Sequence, residues 1–217
     1  MSGELRIHSF FTSLQGEGRF AGYPSAFLRL SGCNLACVWC DAHEAASGVQ
    51  PEMLRVADAA EQLIRSGLRD ICITGGEPLL QEPAVGELLA LLPADRRVVI
   101  ETNGSIPFTA LRKRFPALYF SADWKTPSSH DARFARSNLA AIGERGWIKF
   151  VVAERRDLDF VADHAPEAAA HGIELYVSPV FERGAVWYAE VAAFVTSLSE
   201  THPARFQLQL HKVLGIP

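Results

Sequence analysis

Cys33, Cys37 and Cys40 lie in the stretch SGCNLACVWCD, three thiols within eight positions. The remaining cysteine, Cys72, is far along the chain. Thiolates are soft ligands that suit zinc and iron–sulfur clusters. A structural zinc site is closed by four protein ligands, and His43 is near enough in sequence to keep a zinc knot open as a reading. An electron-transfer cluster also takes four cysteines. Cys72 sits between Ile71 and Ile73 and reads as a small core residue. Three ligands therefore suggest a [4Fe–4S] cluster with one iron left open to a substrate or cofactor.

Further polar residues follow short apolar runs: Gly75-Gly76-Glu77-Pro78, Glu101-Thr102-Asn103-Gly104, then Ser121, Asp123 and Lys125, and finally Gln209, His211 and Lys212. Paired glycines let a backbone approach a ligand closely. Glu77 or exposed carbonyls there can accept hydrogen bonds from an ammonium group. An ordinary strand-end turn is the alternative for both glycine-containing stretches.

These residues need elements to hold them. Strands are expected at 26–30, 70–74, 97–101, 118–122, 147–152, 173–177 and 206–210, short apolar runs that suit strands covered on both faces. Helices are expected at 51–66, where Pro51 starts and Gly67 stops the pattern, at 83–92, 107–115, 131–144 and 157–170, and before His202-Pro203. Strands alternating with helices imply a parallel sheet. Six such units fall short of a closed eightfold barrel of roughly 250 residues. The expected fold is an open, partial (β/α)6 barrel in a single domain over residues 1–217, with a doubly wound sheet as the alternative. In both, the site lies at the C-terminal ends of the strands, where the cysteines and polar residues above fall.

With 217 residues, 48% hydrophobic and 21% charged, the chain can bury a real core. A net charge of −4 argues against a general nucleic-acid surface. No apolar run is long enough to span a membrane. The N-terminus lacks the layout of a secretory signal. A cytoplasmic location is expected, where clustered cysteines suggest metal or redox chemistry rather than disulfides.

C-x3-C-x2-C with Trp39 before the last cysteine resembles the signature of radical S-adenosylmethionine enzymes, and ITGGEPLLQ (73–81) resembles their GGEP motif. The resemblance implies an open iron chelated by S-adenosylmethionine, reductive cleavage of the sulfonium, and hydrogen abstraction from substrate. It also implies cofactor contacts for Gly75, Gly76, Glu77, Asn103, Ser121, Asp123 and Lys125. The flanks narrow the family. SLQGEGRFAGYPSAFLRLSGCNLACVWCD (13–41), SADWKTPSS (121–129), WIKFVVAE (147–154) and RFQLQLHKVLGIP (205–217) resemble the 7-carboxy-7-deazaguanine synthase family in order along the chain. The resemblance implies ring contraction of 6-carboxy-5,6,7,8-tetrahydropterin with loss of ammonia, towards queuosine and related 7-deazapurines. It further implies a homodimer and an external electron donor.

By the same resemblance Leu14, Gln15, Gly16 and Glu17 hold the pterin, and Arg29 and His211 its carboxylate. An arginine between Leu28 and Leu30 is in any case better explained by a buried anion than by solvent. The terminal carboxylate at Pro217 is expected to reach the substrate. Lys125 and Lys149 suit either ligand contacts or solvent. One departure stands out. The family usually reads Cys-Asp-Thr, the threonine hydroxyl helping to bind magnesium, whereas this chain reads Cys40-Asp41-Ala42. Alanine offers no oxygen to a hard cation, so a weaker magnesium dependence is expected. Rival readings are an activase for a glycyl-radical enzyme, which leaves QGEG and LQLHK unexplained, a zinc-binding module, and a synthase acting on another pterin-like substrate.

Overall fold

Side-chain alternation decides which face of each strand meets helices and which meets the interior. In the computed structural model, which describes residues 3–217, the chain forms nine strands in one sheet. It begins with β1 (Glu4–Leu14) and β2 (Pro24–Leu30), followed by the short α1 (His43–Ser47), β3 (Glu52–Arg55) and α2 (Val56–Arg65). Five strand–helix pairs then follow: β4 (Asp70–Gly75) with α3 (Glu82–Leu91), β5 (Arg97–Thr102) with α4 (Thr109–Arg114), β6 (Tyr119–Asp123) with α5 (Asn138–Ile142), β7 (Gly146–Val152) with α6 (Arg155–Ala170), and β8 (Glu174–Pro179) with α7 (Gly184–Leu198). The chain closes with β9 (Ala204–Phe206) and α8 (Leu210–Leu214).

The strand order is β3-β1-β2-β4-β5-β6-β7-β8-β9, and β3 and β9 are not paired with each other, so the sheet is open. From β2 to β9 all neighbours are parallel, while β1 runs antiparallel to both β2 and β3. The six crossovers between β2 and β9 give six β/α units, the partial barrel expected from the sequence.

The core follows from period two. Ala26 and Leu28, Ile71 and Ile73, Val98 and Ile100, Phe120 and Ala122, Ile148 and Phe150, and Leu175 and Val177 all point outward and are buried under the helices. The alternate positions face the hollow of the sheet. Near the strand starts these are Val99, Trp147 and Tyr176, which pack around Phe20 from the β1–β2 loop. Near the strand ends they are Arg29, Thr74, Glu101, Ser121, Asp123 and Lys149, and these line a cavity. The hollow is thus plugged by aromatics at one end and polar at the other.

Three expectations change. The first eleven-residue strand, β1, went unread, although Leu5 and Ile7 alternate with exposed Glu4 and Arg6 in the manner of a half-buried strand. Residues 52–55 form β3 rather than helix, because pairing with β1 (Ile7 opposite Glu52) outweighs their helical spacing. Most of 131–144 is loop; only Asn138–Ile142 is helical, and Asn138 is fully buried, where it accepts from Phe108 N (3.0 Å) and donates to the carbonyls of Gly104 (2.9 Å) and Ile106 (3.0 Å). Among the described residues no helix is long and apolar enough to cross a membrane.

Candidate active site

The strand ends and the loops beyond them enclose one cavity. Cys33, Cys37 and Cys40 lie on one wall, in the loop after β2. The backbone N–H groups of Leu35 and Ala42 point at the sulfurs of Cys33 and Cys40, each at 3.4 Å. The Asn103 amide reaches the Cys33 sulfur at 3.8 Å. Such donors favour a thiolate over a thiol, as iron–sulfur ligation requires. Burial pushes the free Cys37 thiol up to about 11 against the pull of Lys125, and burial raises Cys40 as well. Ligation must therefore displace protons. Among the described residues no three such side chains converge on one point as the ligands of a single ion do. Cluster ligands bind separate irons and need no such convergence. The donor set fits a three-cysteine cluster.

Gly75 and Gly76 hold this loop against the sheet. A Cβ on Gly75 would sit 2.1 Å from the Leu30 carbonyl oxygen, and one on Gly76 would sit 2.3 Å from that of Gly32. Gly76 N donates to Leu30 O (3.2 Å) and Glu77 N to Gly32 O (2.8 Å). The close approach that the glycines allow is to the cysteine loop itself, as well as to whatever occupies the cavity they line.

Glu77 is placed differently from its neighbours. It is fully buried and does not line the cavity. Its carboxylate accepts from Leu79 N (2.9 Å), Asn103 N (2.7 Å) and the Thr102 hydroxyl (2.9 and 3.0 Å). Burial pushes its carboxyl up to about 7, and those donors pull the other way. The geometry gives it the work of tying the turn after β4 to the end of β5 rather than meeting an ammonium in the cavity.

The remaining sequence-picked residues line the cavity: Leu14, Gln15, Gly16, Glu17, Arg29, Asn103, Ser121, Asp123, Lys125, His211 and Pro217. A chain of charges crosses it. Lys125 pairs with Asp123 at 2.7 Å, Lys149 with Asp123 at 3.3 Å, and Lys149 also with Glu17. Gln209 donates to Glu17 (2.6 Å) and to Asp41 (3.1 Å). His211 and Lys212 each lie 3.8 Å from Asp41. Burial would raise Asp123, but the Lys125 and Lys149 ammoniums hold it below the usual carboxylate range. Asp41 is likewise held far down, burial being outweighed by His211, Lys149 and Lys212. One oxygen of Asp123, Oδ1, is buried without a partner, an acceptor left for a ligand.

Arg29 is the exception in this charged lining. Its guanidinium lies 5.0 Å over the Phe11 ring, which stacks on Phe27 at 4.9 Å. Among the described residues it has no carboxylate partner. A half-buried arginine without an anion is ready for one.

Several lining residues escaped the sequence reading. Phe11 was missed with β1. Thr74, joined at 2.9 Å to Glu101, lies on a strand position that alternation would have flagged. His211 and Lys212 are not at a strand end: the expected strand 206–210 is replaced by β9 at Ala204–Phe206, and both residues sit in α8, whose Leu210 N donates to Gly16 O at 3.0 Å.

Residues 28–124 match the Radical SAM superfamily. The chain is 37% identical to the 7-carboxy-7-deazaguanine synthase of Methanospirillum hungatei JF-1, over 100% of this chain and 88% of that protein. It is 34% identical to the enzyme of the same name from Clostridium acetobutylicum, over 95% of this chain and 94% of that one. Its fold is similar to the crystal structure of QueE from Escherichia coli, with a TM-score of 0.66 at 21% identity over 94% of each chain. Streptococcus suis SuiB bound to precursor peptide SuiA shares the fold at a TM-score of 0.63 and 15% identity, over 89% of this chain and 49% of that one. With full-length identity of this order, and three cysteines on the wall of a polar cavity at the strand ends, the chain belongs to the 7-carboxy-7-deazaguanine synthase family of the radical S-adenosylmethionine superfamily.

Proposed function

We propose that this chain is a radical S-adenosylmethionine lyase that converts 6-carboxy-5,6,7,8-tetrahydropterin to 7-carboxy-7-deazaguanine with loss of ammonia, in queuosine and 7-deazapurine biosynthesis. The observation that carries the reading is one cavity with three cysteines on one wall and an unpaired arginine on another.

Cys33, Cys37 and Cys40 would hold the [4Fe–4S] cluster. Gly75, Gly76, Asn103, Ser121, Asp123 and Lys125 would hold S-adenosylmethionine, with the unpartnered Asp123 Oδ1 accepting from the bound ligand. Together the bound groups supply one-electron reduction and hydrogen abstraction. Arg29 offers two parallel donors to the substrate carboxylate, and Phe11 beneath it fixes the plane of the guanidinium. Gln15 and Glu17 present acceptors to a pyrimidine edge, Leu14, Gly16 and Pro217 shape its surroundings, and His211 joins Arg29 in holding the carboxylate. Lys149 pairs with Glu17, and Gln209 orients it.

Magnesium is not required strongly in this reading. Ala42 lines the cavity without an oxygen, and the adjacent Asp41 is already engaged by Gln209, His211 and Lys212. We further propose one domain over residues 1–217, a homodimer, a cytoplasmic location and an external electron donor. One apolar cluster that takes in residues from Leu5 to Leu198 supports the single domain.

The test is an anaerobic assay of cluster-reconstituted protein with reductant, S-adenosylmethionine and 6-carboxytetrahydropterin, read by mass spectrometry. Formation of 7-carboxy-7-deazaguanine, little changed when magnesium is removed, is the expected result. Release of 5′-deoxyadenosine without that product would overturn the substrate. A protein that takes up zinc but no iron or sulfide would overturn the reaction class.

A further inference from the structure

The end of the barrel opposite the cysteines carries an open cleft of about 570 Å³. Arg69, Arg96, Arg97 and Arg145 line it, at the starts of β4, β5 and β7, with Asp95 as the one acid among its lining residues. The chain as a whole is acidic, with a net charge of −4, so this concentration of arginine is local. Among the described residues, only Arg97 of the four pairs with a carboxylate, that of Asp70. Arg96 is half-buried, its Nη1 anchored on the Leu68 carbonyl and its Nε buried without any partner. Arg145 makes only long hydrogen bonds, at 3.5 Å to Ala117 O and 3.4 Å to the Tyr119 hydroxyl, and lies 5.4 Å over the Tyr119 ring.

Like charges gathered in a concave site raise each other's energy unless an anion enters. Guanidinium forks match phosphate oxygens two at a time. The cleft is larger than a single phosphate needs and falls within the ~300–1,000 Å³ of small-ligand pockets. The aromatic layer of Phe20, Trp147 and Tyr176 separates it from the candidate active site. We propose that this cleft is a second ligand site, for a small anion carrying two or more linked phosphate groups. Arg96 and Arg97 form its fixed floor, held by Leu68 O, Asp70 and the Phe20 and Tyr23 rings. Arg69 and Arg145, both exposed, close on the ligand from the rim.

The test is calorimetric titration of the reconstituted holoenzyme with pyrophosphate, tripolyphosphate and ATP, against sodium chloride at equal ionic strength. Saturable binding is expected, weakened about tenfold or more in an Arg69→Gln/Arg145→Gln double variant that loses two charge-assisted contacts, with turnover unchanged. Equal affinity for tripolyphosphate and ATP means that the phosphate chain alone is read, and tighter ATP binding means that the cleft also takes the base; both outcomes support the site. No saturable heat beyond that of chloride would overturn it. So would equal affinity in the double variant, which would put the anion elsewhere.

Discussion

At the scale of single residues, two side chains carry the sharpest expectations. Arg29 lies unpaired over Phe11 in the cavity. Losing a charge-assisted contact of this type costs about 1.5–3 kcal/mol, so Arg29→Gln should lower kcat/KM roughly tenfold to a hundredfold, mostly through KM, and Arg29→Lys should recover only part of that loss. Steady-state kinetics with the carboxylated pterin checks it; an unchanged KM would put the substrate carboxylate elsewhere. Glu77 meets backbone donors on both oxygens. Glu77→Gln puts an amide donor opposite one of them and should destabilise the protein by about 1–3 kcal/mol, measured by urea unfolding. The difference between these two residues was not legible in the sequence. A glutamate beside two glycines looks like a ligand contact, and only the fold reveals that its carboxylate turns inward to Thr102 and Asn103.

At the scale of elements, the site is a loop carried by one strand and braced by the next. The turn after β4 packs backbone to backbone against the loop after β2. Gly76→Ala would drive a methyl to 2.3 Å from Gly32 O and 2.9 Å from the Cys33 Cβ. Neither neighbour is the free end of a flexible side chain, so the cysteine loop must move. Lower iron content per chain after reconstitution is expected, with a loss of about 1–3 kcal/mol in stability, checked by iron assay and thermal unfolding. The parallel strands were legible as apolar runs, and their outward residues do form the core. The inward face of a run was legible only in part: of the polar interruptions that mark the cavity, Glu101 and Lys149 stood out in the sequence, whereas Thr74 did not. The last strand was misplaced for a related reason. Gln207, Leu208 and Gln209 look extended, but Gln207 and Gln209 turn inward to serve Gly18 and Glu17, and α8 starts immediately after.

At the scale of the whole molecule, buried charge sets how stability varies with pH. Asp123 is held below its ordinary value of 3.8 by two lysines. Its contribution is therefore complete above about pH 4 and lost as pH falls through the depressed value. Glu77 is raised from 4.5 to about 7, so its contribution is complete below pH 4.5 and is lost as pH rises through about 7. Cluster-free protein should be most stable between these limits. Urea midpoints across pH should show that Asp123→Asn flattens the acid limb and Glu77→Gln the neutral one. The six-unit open barrel was legible from alternating strands and helices; the antiparallel β1 that extends it was hidden by its mixture of charged and aromatic residues.

The contacts between the QGEG loop and the segment around residue 209 reach almost end to end. Gly18 N donates to Gln207 Oε1 at 3.0 Å across 189 positions, and Gln209 reaches Glu17 across 192. During synthesis the cysteines leave the ribosome long before Gln209 is made. A nascent chain can therefore expose three competent thiols long before their chamber has its final wall. Metallation before that wall forms would leave the metal facing open solvent, so the order of events favours loading after the segment around residue 209 has folded into place, and a chain stalled before it would carry its thiols without shelter.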